Sequence, residues 1–289
     1  MRVAPSRLAV AIAIAGTMLA MGCATSQPQI PELTVTAVDY GFQLPDTTTG
    51  GLVRVHFIDS GKEPHHAQFV RLNDGVTTAQ FDSALSSTIE AAATEGGGAF
   101  DRLFQVASLA GGPAIIQPGG TEDVIVNLEP GNYRLFCFVT GPDGIPHLMK
   151  GMQHALVVTA PTEPQPATPV ADAEVGLTDY TFTLPQFTAG STLVAVTNHG
   201  QEPHEINIVR LKGISVDQFV SMISAPPQAG GPPPFEFVGG FQGIMPGQTG
   251  WAQLDLTPGD YVAVCFIPSA AHEGKPHFAL GMVKGFTVS

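Results

Sequence analysis

Tyr261-Val262-Ala263-Val264-Cys265, followed after a loop by Pro276-His277-Phe278-Ala279-Leu280-Gly281-Met282, puts three soft donors in close succession. A thiol ends a β-forming run, an imidazole stands in the next loop, and a thioether follows it five positions on. The same arrangement occurs earlier, as Tyr133-Arg134-Leu135-Phe136-Cys137 and Pro146-His147-Leu148-Met149-Lys150-Gly151-Met152. Both copies read Pro-His-x3-Gly-Met. Thiolate, imidazole and a weak thioether are the donors copper takes at an electron-transfer site.

Other landmarks recur in the same order. Asp39-Tyr40 and Leu44-Pro45 return as Asp179-Tyr180 and Leu184-Pro185, and Glu63-Pro64-His65 returns as Glu202-Pro203-His204. Thr77 to Gln80 and Ser215 to Gln218 have the form of capping boxes, so each copy carries a short helical or irregular insert between strands. Leu33 to Tyr40 alternates in the β manner, and residues 161–173 form a Pro-rich, semi-extended linker. The expected organisation is a signal segment over 1–23, a tether over 24–32, one β-sandwich over 33–160 and a second over 174–289. Pro226-Pro227 and Pro232 to Pro234 rule out a long helix after about Ile223 in the second insert.

Each copy thus offers His, Cys, His and Met: His65, Cys137, His147 and Met152, then His204, Cys265, His277 and Met282. Taken singly, each has a plainer role, since a Cys on an apolar strand is usually a core residue and a Met near a chain end usually packs. Recurrence of all four types in register outweighs those separate readings. Among the other histidines, His66 stands next to His65, and His272 lies inside the second Cys–His loop, but only His277 keeps the Pro-His-x3-Gly-Met frame. Met149 is a poorer axial candidate than Met152 for the same reason. Arg71 and Arg210 read as stabilising the fold.

This pattern resembles the cupredoxin family, whose members include plastocyanin, azurin and the type 1 domains of copper nitrite reductases, over nearly the whole mature chain twice. The resemblance implies an all-β protein of two tandem Greek-key β-sandwiches, with one type 1 copper per domain cycling between Cu(I) and Cu(II). Two departures stand out. The loops between Cys and His, 138–146 and 266–276, are longer than in small cupredoxins. The residue after the first His, commonly Asn in the family, is His66 or Glu205, which changes the shell around the ligands.

Composition sets the limits on partners. The 289 residues are 44% hydrophobic and 13% charged, with 33 Gly and 25 Pro, enough apolar content for two turn-rich cores. A formal net charge of -13 argues against nucleic acid and favours a basic protein face. Three cysteines, one per repeat and one near the N-terminus, form no disulfide framework. Arg2 and Arg7 precede a short apolar run from Leu8 to Ala20, too short to span a bilayer and suited to an export signal. It ends Leu19-Ala20-Met21-Gly22-Cys23, close to a bacterial lipobox with Cys23 as the lipidated residue, the plainer alternative being cleavage after Ala24. The mature protein is then expected in the periplasm or on the outer cell surface, held to a membrane through its lipid. Its charge is still more acidic, 10 basic against 25 acidic residues.

The leading reading is an electron carrier, not an enzyme, serving a redox partner such as a cytochrome or a membrane oxidoreductase complex. A nitrite reductase or multicopper oxidase needs a second copper reached through a His beside the Cys, or His-x-His pairs. Cys137 lies between Phe136 and Phe138, Cys265 lies between Val264 and Phe266, and the sequence has no His-x-His. A metal-free structural subunit docked on a membrane complex is the alternative. Copper storage would call for Met- and His-rich runs, which the sequence lacks.

Overall fold

The computed structural model describes Met1, residues 28–225 and residues 231–289. The expected signal segment, Cys23 and most of the tether lie outside the described residues, as do Pro226 and Pro227 of the second insert.

In chain order the first half contains β1 (Glu32–Val38), β2 (Gly41–Gln43), β3 (Thr47–Thr49), β4 (Gly51–Asp59) and β5 (Gln68–Leu72). Helices α1 (Thr78–Glu95) and α2 (Asp101–Phe104) follow, then β6 (Ala107–Leu109), β7 (Thr121–Leu128), β8 (Gly131–Phe136) and β9 (Gln153–Thr159). The second half contains β10 (Ala173–Thr178), β11 (Thr181–Thr183), β12 (Gly190–Asn198) and β13 (His204–Leu211). Helix α3 (Val216–Ser224) precedes β14 (Phe235–Ile244), β15 (Thr249–Leu256), β16 (Gly259–Val264) and β17 (Val283–Val288).

Alternation decides which side chains enter the core. On β1, Leu33, Val35 and Ala37 point inward and the intervening residues outward. Both capping boxes form: the Gln80 and Gln218 amides donate to the Thr77 and Ser215 hydroxyls, and each Gln side chain accepts from the cap amide. Phe81, Leu85 and Phe219 then bury the inner faces of α1 and α3. Helix α3 stops at Ser224, ahead of the prolines. Early in each strand that leads to a Cys, a Tyr reaches back four residues: the Tyr133 hydroxyl donates to the Glu129 carbonyl and that of Tyr261 to the Thr257 carbonyl, both at 2.8 Å. These tyrosine corners fix where β8 and β16 begin.

Each half is a two-layer sandwich, but the halves do not merely hang from the linker. Strands β7 and β15 pair antiparallel through Val124 with Ala252 and Ile125 with Trp251. One layer of each sandwich thereby joins an eight-stranded sheet in the order β11-β10-β12-β15-β7-β4-β1-β2. The other layers stay separate, β3-β9-β8-β5-β6 and β14-β13-β16-β17. A second seam brings residues 110–116 against β14, with bridges Ala110 to Ile244 and Ile116 to Val238.

Both seams obey one rule. The offset that relates Cys137 to Cys265 also relates Ala110 to Val238, Ile116 to Ile244 and Val124 to Ala252. Each bridge is therefore the mirror of the other, as across a two-fold axis, the self-complementary arrangement of an isologous interface. Gly112 and Gly240, at φ 137° and 138°, hold equivalent places along the seam, where an added Cβ would strike the Ala67 and Ile206 carbonyl oxygens.

Glu122 is buried in this junction. One carboxylate oxygen accepts from the Gly240 amide at 2.5 Å and Oε2 makes no hydrogen bond of ordinary geometry. Burial pushes its carboxyl up to about 8. The folded protein therefore keeps Glu122 neutral where the unfolded chain ionises it, and stability falls as pH rises from about 4.5 to about 8. Replacing Glu122 by Gln removes that loss. Denaturant melts of Glu122→Gln against wild type are expected to differ little at pH 5 and to favour the variant by about 1–3 kcal/mol at pH 9.

Candidate metal centres

In the first half the site forms where β5, β8 and the loop after β8 meet. Cys137 follows directly on β8, and its carbonyl accepts from the Leu148 amide at 2.9 Å while its amide donates to the Met152 carbonyl at 3.4 Å. Between them a 3-10 turn, His147–Lys150, ends at Gly151 with φ 96°. The second half repeats this: Phe278 amide to Cys265 carbonyl at 2.9 Å, Cys265 amide to Met282 carbonyl at 3.2 Å, and Gly281 at φ 114°. The glycine of Pro-His-x3-Gly-Met is thus required by a left-handed turn that brings Met back beside Cys.

The His and Cys side chains of each group come together. Cys137 Sγ lies 3.4 Å from His147 Nδ1 and 3.7 Å from His65 Nδ1, and the two Nδ1 atoms are 3.0 Å apart. In the second half Cys265 Sγ is 3.4 Å from His277 Nδ1, which is 3.0 Å from His204 Nδ1. All three donor atoms of each group fall within 4.8 Å of one another. The eight residues, Met152 and Met282 included, are fully buried. Both cysteines are free thiols.

The far side of each ring is taken by a carboxylate. Nε2 of His65 meets Asp39 at 2.7 Å and Nε2 of His147 meets Glu63 at 2.8 Å. Asp179 and Glu202 do the same for His204 and His277, at 2.8 and 3.1 Å. A neutral imidazole carries one N–H, and an ionised carboxylate can only accept, so the proton belongs on Nε2. Both Nδ1 atoms are then bare lone pairs facing each other beside a sulfur. Protonating a ring would relieve this, but burial pushes His65 and His204 down, and His277 down to about 4. The carboxylates stay ionised: burial alone would raise Asp39, Glu63, Asp179 and Glu202, but their hydrogen bonds outweigh it and all four lie below the usual range. A cation between the three donors satisfies them all, and the residues fit a soft metal ion.

Both thiols are deeply buried. Burial raises Cys137 to about 12 and Cys265 well above its ordinary value, so without a metal both remain protonated at neutral pH.

The residues after the first histidines keep the ligand loops in place. His66 Nε2 accepts from the Phe138 amide at 2.8 Å, and Glu205 Oε1 accepts from the Phe266 amide at 2.9 Å. Each therefore holds the peptide just beyond the Cys, and the departures from Asn exchange the acceptor without losing the contact. His66 is accordingly engaged away from the donor cluster, and His272 sits on Tyr180 and Ser269, at 3.0 Å from each. Met149 is exposed. Arg71 and Arg210 donate to the Pro130 and Pro258 carbonyls, as fold-stabilising residues should.

Sequence reasoning missed Asp39, Glu63, Asp179 and Glu202 as partners of the ligands, although all four stand in the repeated Asp-Tyr and Glu-Pro-His landmarks. It also missed what covers them. The Tyr40 hydroxyl donates to Glu63 at 2.7 Å and accepts from Lys150 at 3.0 Å, with the ammonium 4.3 Å from the Tyr40 ring centroid. Tyr180 donates to Glu202 at 2.9 Å, but Leu280 stands where Lys150 does in the motif, and His272 and Ser269 complete the network instead. Leu148 and Phe278 are buried in the turns and form no surface; the exposed apolar residues beside the first site are Ile145 and Met149.

No family model and no curated protein matches the chain. Among solved structures, a dithionite-reduced auracyanin from the photosynthetic bacterium Roseiflexus castenholzii is 22% identical, with 40% of this chain and 95% of that chain covered and a TM-score of 0.28. A multicopper oxidase is 16% identical over 89% of this chain and 88% of that one, with a TM-score of 0.26. A copper-containing nitrite reductase from Thermus scotoductus is 13% identical over 90% and 62%, also with a TM-score of 0.26. Likeness at this level says nothing of activity, and the assignment of the fold rests on the sheets, the tyrosine corners and the paired His, Cys, His and Met groups. On that ground the protein is an all-β chain of two cupredoxin-like sandwiches in tandem.

Proposed function

We propose that the protein is a copper-binding electron-transfer protein with one type 1 site in each half. The observation that carries this reading is the pair of bare Nδ1 atoms beside a thiol, their Nε2 atoms committed to carboxylates, built twice. His65, Cys137, His147 and Met152 would hold one ion, and His204, Cys265, His277 and Met282 the other. Copper bound by such donors supplies one-electron chemistry. The chain's own part is to orient the rings through the carboxylates, exclude water by burial and hold the Met peptide against the Cys peptide through the turn after the second His.

A carrier suits these sites better than an enzyme, because the phenylalanines and valine beside the cysteines offer no ligand to a second metal. Ile145 and Met149 offer apolar contact to a docked redox protein with a basic face, which the acidic chain would attract. The charged start, short apolar run and lipobox-like end of residues 1–23 support a carrier exported from the cytoplasm and lipidated at Cys23.

The copper reading is tested by metal analysis and visible absorption of the copper-loaded protein. Two copper ions per chain and an intense thiolate-to-copper band are expected, with Cys137→Ser and Cys265→Ser each removing one ion and part of the band. A colourless protein that takes up no copper would instead favour the metal-free structural subunit.

Because Cys137 is a thiol until about pH 12, copper uptake at the first site must displace its proton. In the Cys265→Ser variant, apparent affinity is expected to rise about tenfold for each unit of pH above about 8, with one proton released per ion there. Competition titrations against a chelator, with a pH indicator, measure both quantities.

The carboxylates give a third test. Glu63→Gln or Asp39→Asn is expected to weaken copper at the first site by about 10- to 100-fold and leave the second unchanged.

A further inference from the structure

The two centres are joined by hydrogen bonds across the second seam. His65 pairs with Ile116, whose amide donates to the His65 carbonyl at 3.0 Å. One peptide back, the Ile115 amide donates to the Asn207 Oδ1 of the other half at 3.2 Å. Asn207 Nδ2 donates in turn to Glu205 Oε1 at 3.0 Å, and that oxygen also accepts from the Phe266 amide at 2.9 Å. Phe266 follows Cys265. From a ligand of the first centre to a ligand of the second, the path thus crosses four hydrogen bonds, with His65, Ile115, Ile116, Glu205, Asn207 and Cys265 all buried.

The pseudo-symmetric route is built differently. Gln68 is the equivalent of Asn207 by the offset that relates His65 to His204, and Gly243 is the equivalent of Ile115. The Gln68 side chain donates to the Gly243 carbonyl at 3.0 Å, crossing the seam as Asn207 does. Its other partners are the Phe69 and Gly111 carbonyls, and His66 Nδ1 has no hydrogen-bond partner, so Gln68 does not continue to the Cys137 loop. Both side chains fasten the halves together. Of these two side chains, only Asn207 connects the seam to the peptide beyond a ligand cysteine.

We propose that Asn207 couples the two centres electronically, so that an electron delivered to one half passes to the other inside the same chain. This rests on the copper reading of both sites. The exchange oxidises one centre by one electron as it reduces the other, and the first electron comes from an external one-electron reductant. No bond or proton need move. A bonded route favours such transfer because coupling falls steeply across a through-space gap, and buried hydrogen bonds keep donor and acceptor groups in fixed contact. Gln242, which donates to the same Asn207 oxygen at 3.4 Å, helps hold the amide in this orientation.

The test uses the full chain loaded with two copper ions, given less than one electron per molecule by a radiolytic pulse. The bands of the two centres are identified beforehand from Cys137→Ser and Cys265→Ser. Wild type is expected to show a redistribution between the bands at a rate independent of protein concentration. Asn207→Leu is expected to slow it by about tenfold or more, while Gln68→Met, which alters the other seam contact, leaves it unchanged. If Asn207→Leu does not fold, Glu205→Leu and Glu205→Gln replace it: the first breaks the route and slows transfer, and the second keeps both hydrogen bonds and preserves the rate. The proposal is overturned by a wild type with no concentration-independent phase, by an unchanged rate when the route is cut, or by equal slowing in the Gln68 variant. Absence of copper or of either band before the pulse overturns the underlying copper reading instead. In metal-free protein, faster amide exchange at Ile115 in Asn207→Leu verifies the contact itself; unchanged exchange there counts against it.

Discussion

Two lone pairs forced to face each other at 3.0 Å are the constraint on which the rest of each half depends. In an apolar interior such a pair is costly unless a donor completes it: the neighbouring thiol can serve one nitrogen, whereas a bound cation would serve both together with the sulfur. The surrounding structure acts to maintain it. Carboxylates fix the tautomer, burial disfavours protonation of His65, His204 and His277, and the acceptor after each first histidine holds the cysteine peptide. A left-handed glycine then folds the methionine back against the same strand. Because the donors are already gathered and buried, an ion bound there would not have to order them, which is how a preformed site gains affinity.

Much of this could be read from the residues. Period-two alternation revealed the strands, the recurrence of Pro-His-x3-Gly-Met revealed both donor groups, and Thr77 and Ser215 marked the helix starts. These are local signals, carried by neighbours in sequence. Asp39 and Glu63 escaped because an acidic residue far from its histidine in the chain has no spacing to reveal it; only the fold brings Asp39 to His65. Their recurrence in both halves was the available clue, and it could be read equally as fold landmarks. The joining of the sandwiches escaped for a stronger reason. Val124 and Ile125 look like any buried strand, and nothing in their pattern says that the partner strand belongs to the other repeat.

The halves are equivalent in plan and unlike in detail. Lys150 places a cation next to the Tyr40 and Glu63 that hold His147, and Leu280 gives the second half none there. His66, kept neutral by burial, and Glu205, whose carboxyl burial pushes up to about 7, put different groups at one and the same position. Duplicate folding units therefore surround similar donors with dissimilar fields, and equal ligands do not make equal sites.

The two-fold character of the junction also bears on how the chain is made. Val124 pairs with Ala252, its own counterpart, so the edge of β7 is complementary to an edge of the same design. While the ribosome has delivered only the first sandwich, that edge lies open, and the partner strand is more than a hundred residues away. Two nascent or truncated first halves can satisfy each other through β7 in the way the finished protein satisfies itself. A chain of this plan gains from delaying that encounter, and the Pro-rich linker keeps the second sandwich tethered at high effective concentration, so that pairing within the molecule outruns pairing between molecules.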